Sequence, residues 1–345
     1  MKRLRLRVAL VVILLAVAWI GLRQYEAAWL SSPIEALQQP VVFRLVDGAS
    51  LSAVAGQLQD AGWLEQPRIW VRHAKRSGVT TRIKAGEYLL RPGTTPAGLL
   101  RQFVSGEVLL HTLTIPEGWT FRQALAAIQA HPAVTVELAG LSQEPLMERL
   151  GLAGRHPEGR YFPDTYHFPR GTTDRELLLQ AQSRLESELA SAWMARRHDL
   201  PLRTPYEALI LASLVEKETG DPDERPLIAG VFVNRLRLGM RLQTDPTVIY
   251  GLGESFDGNL RRRDLQTDNP YNSYTRAGLP PTPIALVGRA ALDAAARPAM
   301  TDALYFVATG KGDGRHYFSS SLPAHNANVA RHLANLRAAR SLQVR

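Results

Sequence analysis

The stretch "LASLVEKETG", residues 211–220, decides the fold of this chain, because an apolar run ends there in three charged residues. Leu and Ala favour helix strongly, and the pattern predicts a helix from about residue 205 to residue 219. The helix therefore carries two carboxylates, Glu216 and Glu218, close to its carboxyl end. The role of the helix depends on which of the two faces inward.

Helical geometry separates the two carboxylates. At about 100° per residue, and with Leu211 at zero, Glu218 falls near 340°, between Leu214 and Val215 on the apolar side. Glu216 falls at about 140°, on the other side, where we expect a solvated residue. The pattern predicts that Glu218 faces inward and Glu216 outward.

An inward carboxylate at this position favours its protonated form for two reasons. Removal from water disfavours the anion, and so does the negative end of the helix dipole. A carboxylic acid that is still protonated near neutral pH can protonate a glycosidic oxygen, so Glu218 is a candidate general acid. The alternative is a structural carboxylate that pairs with an Arg or Lys from elsewhere.

Two later segments have the composition of a carbohydrate-binding groove. "QTDPTVIYG" (243–251) and "YNSYTRAGLPPTPI" (271–284) place amides, hydroxyls and tyrosines on loops. Aromatic rings stack on sugar faces and amides bind sugar hydroxyls, so these loops are predicted to bind substrate. The candidate substrate-binding residues are Gln243, Asp245, Tyr271, Asn272 and Tyr274. Asp245 is also the main candidate for a second catalytic acid.

The N-terminus has the pattern of a membrane anchor. Four basic residues in "MKRLRLR" (1–7) precede an uncharged apolar run, Val8–Leu22. We predict a cytoplasmic basic segment at 1–7, a single transmembrane anchor at 8–28, and the rest of the chain in the periplasm. The alternative is a cleaved signal peptide, because Ala16–Ala18 resembles a small-x-small cleavage site.

Composition narrows the function classes. The net charge of +9 suits an anionic membrane surface or a polyanion. No zinc-finger, RNP-like or basic-zipper pattern is present in the sequence, so we expect no nucleic-acid partner. The absence of cysteine excludes disulfides, thiolate chemistry and cysteine-based metal sites. The histidines follow no metal-ligand spacing, so no metal or cofactor is expected, and His316 and His325 are interpreted as hydrogen-bonding or packing groups.

The chain between the anchor and the C-terminus is predicted to be α+β. After a linker at 29–40, residues 42–58 and 112–128 form a weak repeat, in which a strand precedes a capped amphipathic helix. The domain prediction is a small strand–helix module with a connector at 41–155 and a mixed α+β domain at 156–345. The latter contains a long predicted helix at 175–197 and a hairpin of 304–309 with 316–319.

Several long motifs resemble one known family. They are "EGRYFPDTY", "ASLVEKET", "VFVNRLRLGMRLQTDPTVIYG", "YNSYTRAGLPPTPI", "YFVATGKG" and "HYFSSSLPAHN". Together they resemble the MltG (YceG-like) family of endolytic murein transglycosylases over nearly the whole chain. The resemblance implies an inner-membrane protein with a LysM-like module and a periplasmic catalytic domain, and it implies that Glu218 is catalytic. The expected partners are peptidoglycan glycan strands, the inner membrane and, as candidates, peptidoglycan synthases.

The resemblance also implies a reaction. Nascent strands would be cleaved between N-acetylmuramic acid and N-acetylglucosamine, which leaves 1,6-anhydro ends and terminates glycan elongation. Glu218 would act by itself, without the paired carboxylates of ordinary glycosidases. Two alternatives stay open: a hydrolytic muramidase with Asp245 as second acid, and a non-catalytic glycan-binding scaffold.

Overall fold

A computed structural model describes residues 2–343 of the 345-residue chain, with side chains for residues 3–339. Met1 of the predicted basic segment, and Val344 and Arg345 of the predicted C-terminal domain, lie outside the described residues. The chain divides into two compact units. Unit 1 is Met1–His111 with His167–Gly171, and unit 2 is Thr112–Tyr166 with Thr172–Arg345.

The first element is a long helix, α1 (Lys2–Ser31). Its stretch Arg3–Ser31 is long and apolar enough to cross a membrane, and its apolar window is fully exposed. At about 1.5 Å per residue such a helix exceeds the roughly 30 Å hydrocarbon core of a bilayer. A helix that fits the predicted anchor at 8–28 is therefore present.

Residues 29–40, the predicted linker, contribute apolar side chains to the core of unit 1. Helix α1 continues to Ser31, and Leu30, Ile34 and Leu37 are buried in the core of unit 1. The amide of Ile34 also donates to a backbone carbonyl at 2.9 Å. These apolar residues are spaced three or four apart, and their burial outweighs the polar composition of the segment.

Unit 1 consists of a small sheet covered by helices. Strands β1 and β2 pair antiparallel, with Val41 opposite Leu90. Trp70, Tyr88 and Phe103 are fully buried and make the aromatic centre of the core. The elements after α1 are β1 (Val41–Leu45), α2 (Leu51–Asp60), α3 (Pro67–Arg76), β2 (Gly86–Leu90) and α4 (Pro96–Ser105).

The repeat predicted from sequence corresponds to two strand–helix pairs. Ser50 caps α2, and Thr120 forms a reciprocal capping box with Gln123 at the next such helix. The second copy belongs to unit 2, which begins at Thr112, so the compact units do not divide at the predicted residue 155. The elements that follow along the chain are β3 (Leu110–Thr114), α5 (Phe121–Ala130), α6 (Gln143–Arg149), β4 (Thr165–Pro169) and α7 (Asp174–Met194), and β3 and β4 each have residues in both units.

The rest of unit 2 is built around α8 (Pro205–Glu218). Nine consecutive residues, Ala208–Glu216, are buried, because α7 and three later helices pack against α8. A helix that is apolar on all sides packs inside a core. The side of α8 that carries Glu216 is therefore buried, although helical geometry predicted that it would face solvent. The later elements are α9 (Arg225–Arg237), α10 (Asp245–Leu252), a 3-10 turn (Gly253–Ser255), α11 (Arg262–Gln266), α12 (Arg289–Ala296), the antiparallel hairpin β5 (Tyr305–Ala308) with β6 (His316–Ser319), and α13 (Leu322–Gln343).

Candidate active site

Glu218 lies where the fold changes from packed helix to open cleft. It is the last residue of α8, and the next residue, Thr219, has extended backbone angles. The cleft has a volume of about 440 Å³. Its walls are the end of α8, residues 242–245, Tyr274, the β5–β6 hairpin and the start of α13, and we refer to this site as the Glu218 cleft.

The surroundings of Glu218 favour its protonated form. Burial raises the pKa of its carboxyl to about 7, and the negative charge of Asp245 acts in the same direction. A hydrogen bond from the hydroxyl of Thr244 opposes this rise in pKa, and so do the neighbouring side chains of His316 and Arg235. Near neutral pH the carboxyl is therefore balanced between acid and base, which is the condition that general acid–base catalysis requires.

Glu216 is buried, and the expectation that it is solvated was wrong. Its side chain is 3% exposed and pairs with Arg225 at 3.0 Å. Its second oxygen accepts a hydrogen bond from the amide of Gly288 at 3.1 Å, just before α12. Glu216 thus joins α8 to α9 and α12 in the interior of unit 2, whereas Glu218 lines the cleft.

Three of the five predicted substrate-binding residues lie in the Glu218 cleft. Gln243 and Asp245 stand side by side on the segment that leads into α10, and Tyr274 faces them. The phenol of Tyr274 donates to a carboxylate oxygen of Asp245 at 2.5 Å. Burial raises the pKa of Tyr274, so the phenol keeps its proton and the hydrogen bond persists.

The other two predicted residues do not line the cleft. Asn272 is 0% exposed, and its amide group donates to three backbone carbonyls of residues 264–267. The side chain of Tyr271 packs edge-to-face on Tyr250, and its hydroxyl bonds with Thr282 at 2.9 Å. We therefore correct the prediction for Asn272: burial leaves it no access to substrate, and it shapes the loop that carries Tyr274 through a bond to that residue's amide.

The structure adds residues to the site that sequence reasoning missed. Arg235 reaches the cleft from α9 and donates to the backbone carbonyls of Leu242 and Leu304, which ties two walls together. His316 donates from Nδ1 to the buried carboxylate of Glu224 at 2.7 Å and also lines the cleft. Both residues stand in the motifs "VFVNRLRLGM" and "HYFSSS", but nothing in a linear sequence indicates that these segments meet. Within residues 2–343, no cluster of three or more His, Asp or Glu side chains is arranged to hold a metal ion.

The fold and the cleft together define a class of site. An open cleft of about 440 Å³ presents an acid of raised pKa beside an amide, tyrosines and hydroxyls at the end of a buried helix. This combination is typical of enzymes that cleave glycosidic bonds by proton transfer.

Comparison with known proteins identifies the family within that class. The model of the YceG-like family matches residues 43–331, so this chain belongs to the YceG-like family. An endolytic murein transglycosylase of Bacillus subtilis is 30% identical over 324 residues, which cover 89% of each chain. One of Streptococcus pneumoniae is also 30% identical, over 87% of this chain and 60% of its own length. A 2.6 Å crystal structure of a yceG-like protein from Listeria monocytogenes has a TM-score of 0.51 at 30% identity and covers 84% of this chain and 99% of its own.

Proposed function

We propose that this chain is a membrane-anchored lytic transglycosylase that cleaves peptidoglycan strands internally, with Glu218 as its acid and base. The observation that carries the proposal is the carboxyl of Glu218 in the cleft wall, with its pKa raised to about 7, in a chain of the YceG-like family. The curated relatives at 30% identity are named as endolytic murein transglycosylases, which supports the same substrate class.

The reaction requires one group that gives and then takes a proton. Glu218 protonates the oxygen between N-acetylmuramic acid and N-acetylglucosamine as the C1–O bond breaks. The resulting carboxylate accepts the proton of the muramyl 6-hydroxyl, whose oxygen forms the new bond to C1. Glu218 is protonated again at the end, no water is consumed, and the strand is left with a 1,6-anhydro end.

The walls of the cleft have a positioning role in this mechanism. The amide of Gln243 and the hydrogen-bonded pair of Asp245 and Tyr274 stand beside Glu218, where they can hold sugar hydroxyls and the N-acetyl group. Holding the 6-hydroxyl against C1 converts the attack into a reaction of very high effective concentration. A single acid–base group then suffices.

The anchor and unit 1 complete the proposal. Helix α1 would span the inner membrane with the basic residues at its start in the cytoplasm, and the Glu218 cleft would then lie in the periplasm beside nascent strands. The order β1–α2–α3–β2 with antiparallel strands supports a LysM-like, glycan-binding role for unit 1. Peptidoglycan synthases are candidate partners because they make the strands that would be cut.

A hydrolytic muramidase is the second candidate function. Asp245 lines the same cleft as Glu218, and a second carboxylate is what a hydrolase uses to activate water or to attack C1. The bond of Asp245 to Tyr274 argues for positioning, because one of its oxygens is already occupied. Digestion of uncrosslinked strands in H₂¹⁸O distinguishes the two: a hydrolase yields reducing muramic acid labelled at C1, and a lyase yields unlabelled anhydro ends.

The direct test is the substitution Glu218→Gln in the full-length chain. We expect loss of anhydro-ended muropeptides, measured by mass spectrometry, with an unchanged circular dichroism spectrum. Glu148→Gln, on the exposed face of α6, is the matched control and should keep wild-type activity. Wild-type yields from Glu218→Gln would exclude Glu218 as the acid, and predominantly reducing ends from the wild type would favour the hydrolase.

A further inference from the structure

Thr244 stands at a helix start and does not cap it. Thr95, Thr120, Thr173 and Thr204 each precede a helix, and the hydroxyl of each accepts a hydrogen bond from the first turn. Thr244 holds the same position before α10 without any such bond. Its hydroxyl donates to Oε1 of Glu218 instead. A stabilising interaction of α10 is thus given up in favour of a contact with the candidate catalytic acid.

The residue before Thr244 has an unusual backbone conformation. Gln243 has φ of 51°, and among residues 2–343 it is the one non-glycine residue with positive φ. This left-handed conformation is unfavourable for a residue with a Cβ, and such residues concentrate at functional sites where the surroundings enforce them. The conformation of Gln243 turns the chain just before the hydroxyl that reaches Glu218.

Ser273 and Thr247 hold this turn through a closed ring of hydrogen bonds. The amide of Thr244 donates to Oγ of Ser273 at 3.0 Å, and the hydroxyls of Ser273 and Thr247 lie 2.8 Å apart. The hydroxyl of Thr247 then donates to the carbonyl of Thr244 at 2.7 Å. The amide of Gln243 also donates to the carbonyl of Ser273 at 3.2 Å. Ser273 is 4% exposed and Thr247 is 0% exposed, so solvent does not compete for these bonds.

We infer that Ser273 and Thr247 are positioning residues that lock the strained turn at Gln243, so that Thr244 presents its hydroxyl to one oxygen of Glu218. The inference deepens the proposed function and rests on the role of Glu218 in it. A hydroxyl that donates to Oε1 leaves Oε2 to carry the transferable proton toward the substrate. After the first step the same bond stabilises the carboxylate that must accept a proton from the 6-hydroxyl.

The test compares pH profiles of kcat/KM for the full-length chain in detergent. Activity of the wild type should fall as pH rises through about 7, because Glu218 must be protonated to act. Thr244→Val removes the donor that stabilises the anion, so the pKa rises and this descending limb should move up by about one pH unit. Thr244→Ser keeps the hydroxyl and should restore the wild-type limb. Ser273→Ala keeps Thr244 but loosens the turn, and it should move the limb in the same direction by less.

A second measurement makes the inference independent of turnover. The pKa of Glu218 can be measured directly by NMR titration of its ¹³C-labelled carboxyl. We expect the lowest pKa in wild type and Thr244→Ser, a higher pKa in Ser273→Ala, and the highest in Thr244→Val. Thr275→Val is the matched control, because Thr275 bonds with Asp268 on the exposed side of the loop. An unchanged Glu218 pKa in Thr244→Val, or in Ser273→Ala if the valine variant does not fold, would overturn the inference. A wild type without anhydro products would instead refute the proposed function and leave the titration valid.

Discussion

Three neighbouring side chains at the end of α8 occupy three different environments. Glu216 is buried against Arg225, Lys217 is exposed and donates to the carbonyl of Gly118 at 3.1 Å, and Glu218 opens into the cleft. The reason is helical geometry, because residues two apart point in nearly opposite directions. Glu216 therefore needs a partner inside the protein, whereas Glu218 faces the cleft.

The burial of Glu216 predicts a stability effect that separates it from Glu218. The side chain of Arg225 is 10% exposed, and Glu216 is its nearest acidic partner, at 3.0 Å. Glu216→Ala removes this partner and leaves only Glu117, which lies 3.6 Å from the guanidinium. Breaking a buried ion pair from one side costs about 3 kcal/mol or more. We expect urea denaturation to give a loss of that size for Glu216→Ala.

The comparison variant for this experiment is Glu218→Gln. Its neutral amide replaces a carboxyl that burial already disfavours as an anion, so stability should be retained while activity is lost. An equal loss of stability in both variants would contradict the different environments described for the two residues.

At the scale of elements, a buried carboxylate links α5 to α10, the helix that begins at Asp245 in the Glu218 cleft. Glu158, 4% exposed, accepts from the amide of Phe121 at the start of α5 at 2.8 Å. It also accepts from the phenol of Tyr250 on α10 at 3.2 Å. Burial raises the pKa of Glu158 to about 7, although these hydrogen bonds favour the anion. Helix α10, which begins at Asp245, is therefore held in place by the titratable carboxyl of Glu158.

This arrangement predicts how stability depends on pH. The folded-state pKa of Glu158, about 7, lies above its ordinary value of 4.5, so the folded protein holds this proton more tightly than the unfolded chain does. The stabilising effect is complete below the unfolded-state pKa and is lost progressively as pH rises from about 4.5 to about 7, by roughly 1.4 kcal/mol per pH unit. Glu158→Gln cannot ionise, so its stability relative to wild type should increase from pH 5 to pH 8.

Thermal unfolding of the two proteins at pH 5, 6, 7 and 8 measures this difference. Asp47→Asn, on an exposed turn of unit 1, serves as the control for the loss of one carboxylate. A difference between Glu158→Gln and wild type that stays constant with pH would show that Glu158 titrates normally.

At the scale of the whole molecule, α1 is continuous with the folded part of unit 1. The carboxylate of Glu26 on α1 is 3% exposed and pairs with Arg72 and Arg76 of α3, each at 3.0 Å. Leu30 is buried just beyond it. The apolar stretch thus runs directly into a packed domain without an intervening flexible segment.

The charge bias of α1 predicts its orientation. Lys2, Arg3, Arg5 and Arg7 precede the apolar run, and basic flanks stay on the cytoplasmic side. A reporter that is active only in the cytoplasm should be silent when fused after Arg345 and active when fused before Met1. Whole-cell reporter assays measure both fusions, and an active C-terminal fusion would reverse the proposed topology.

Several features of this protein could be predicted from local patterns in the sequence. The apolar run of α1, the capped helices after Ser50 and Thr120, and the position of Glu218 at the end of α8 all depend on residues within one or two turns of each other. Such short-range geometry can be worked out from residue spacing. The family motifs extended the same prediction to the class of enzyme.

Other features depend on contacts between residues that are distant in the sequence, and residue spacing does not predict such contacts. Glu216 is buried because Arg225 and Gly288 meet it, 9 and 72 residues away, and Asn272 is buried because it satisfies carbonyls of a folded loop. The contact of Thr244 with Glu218 likewise joins groups 26 residues apart. A polar side chain is buried wherever its partners are, and those partners come together only when the chain has packed.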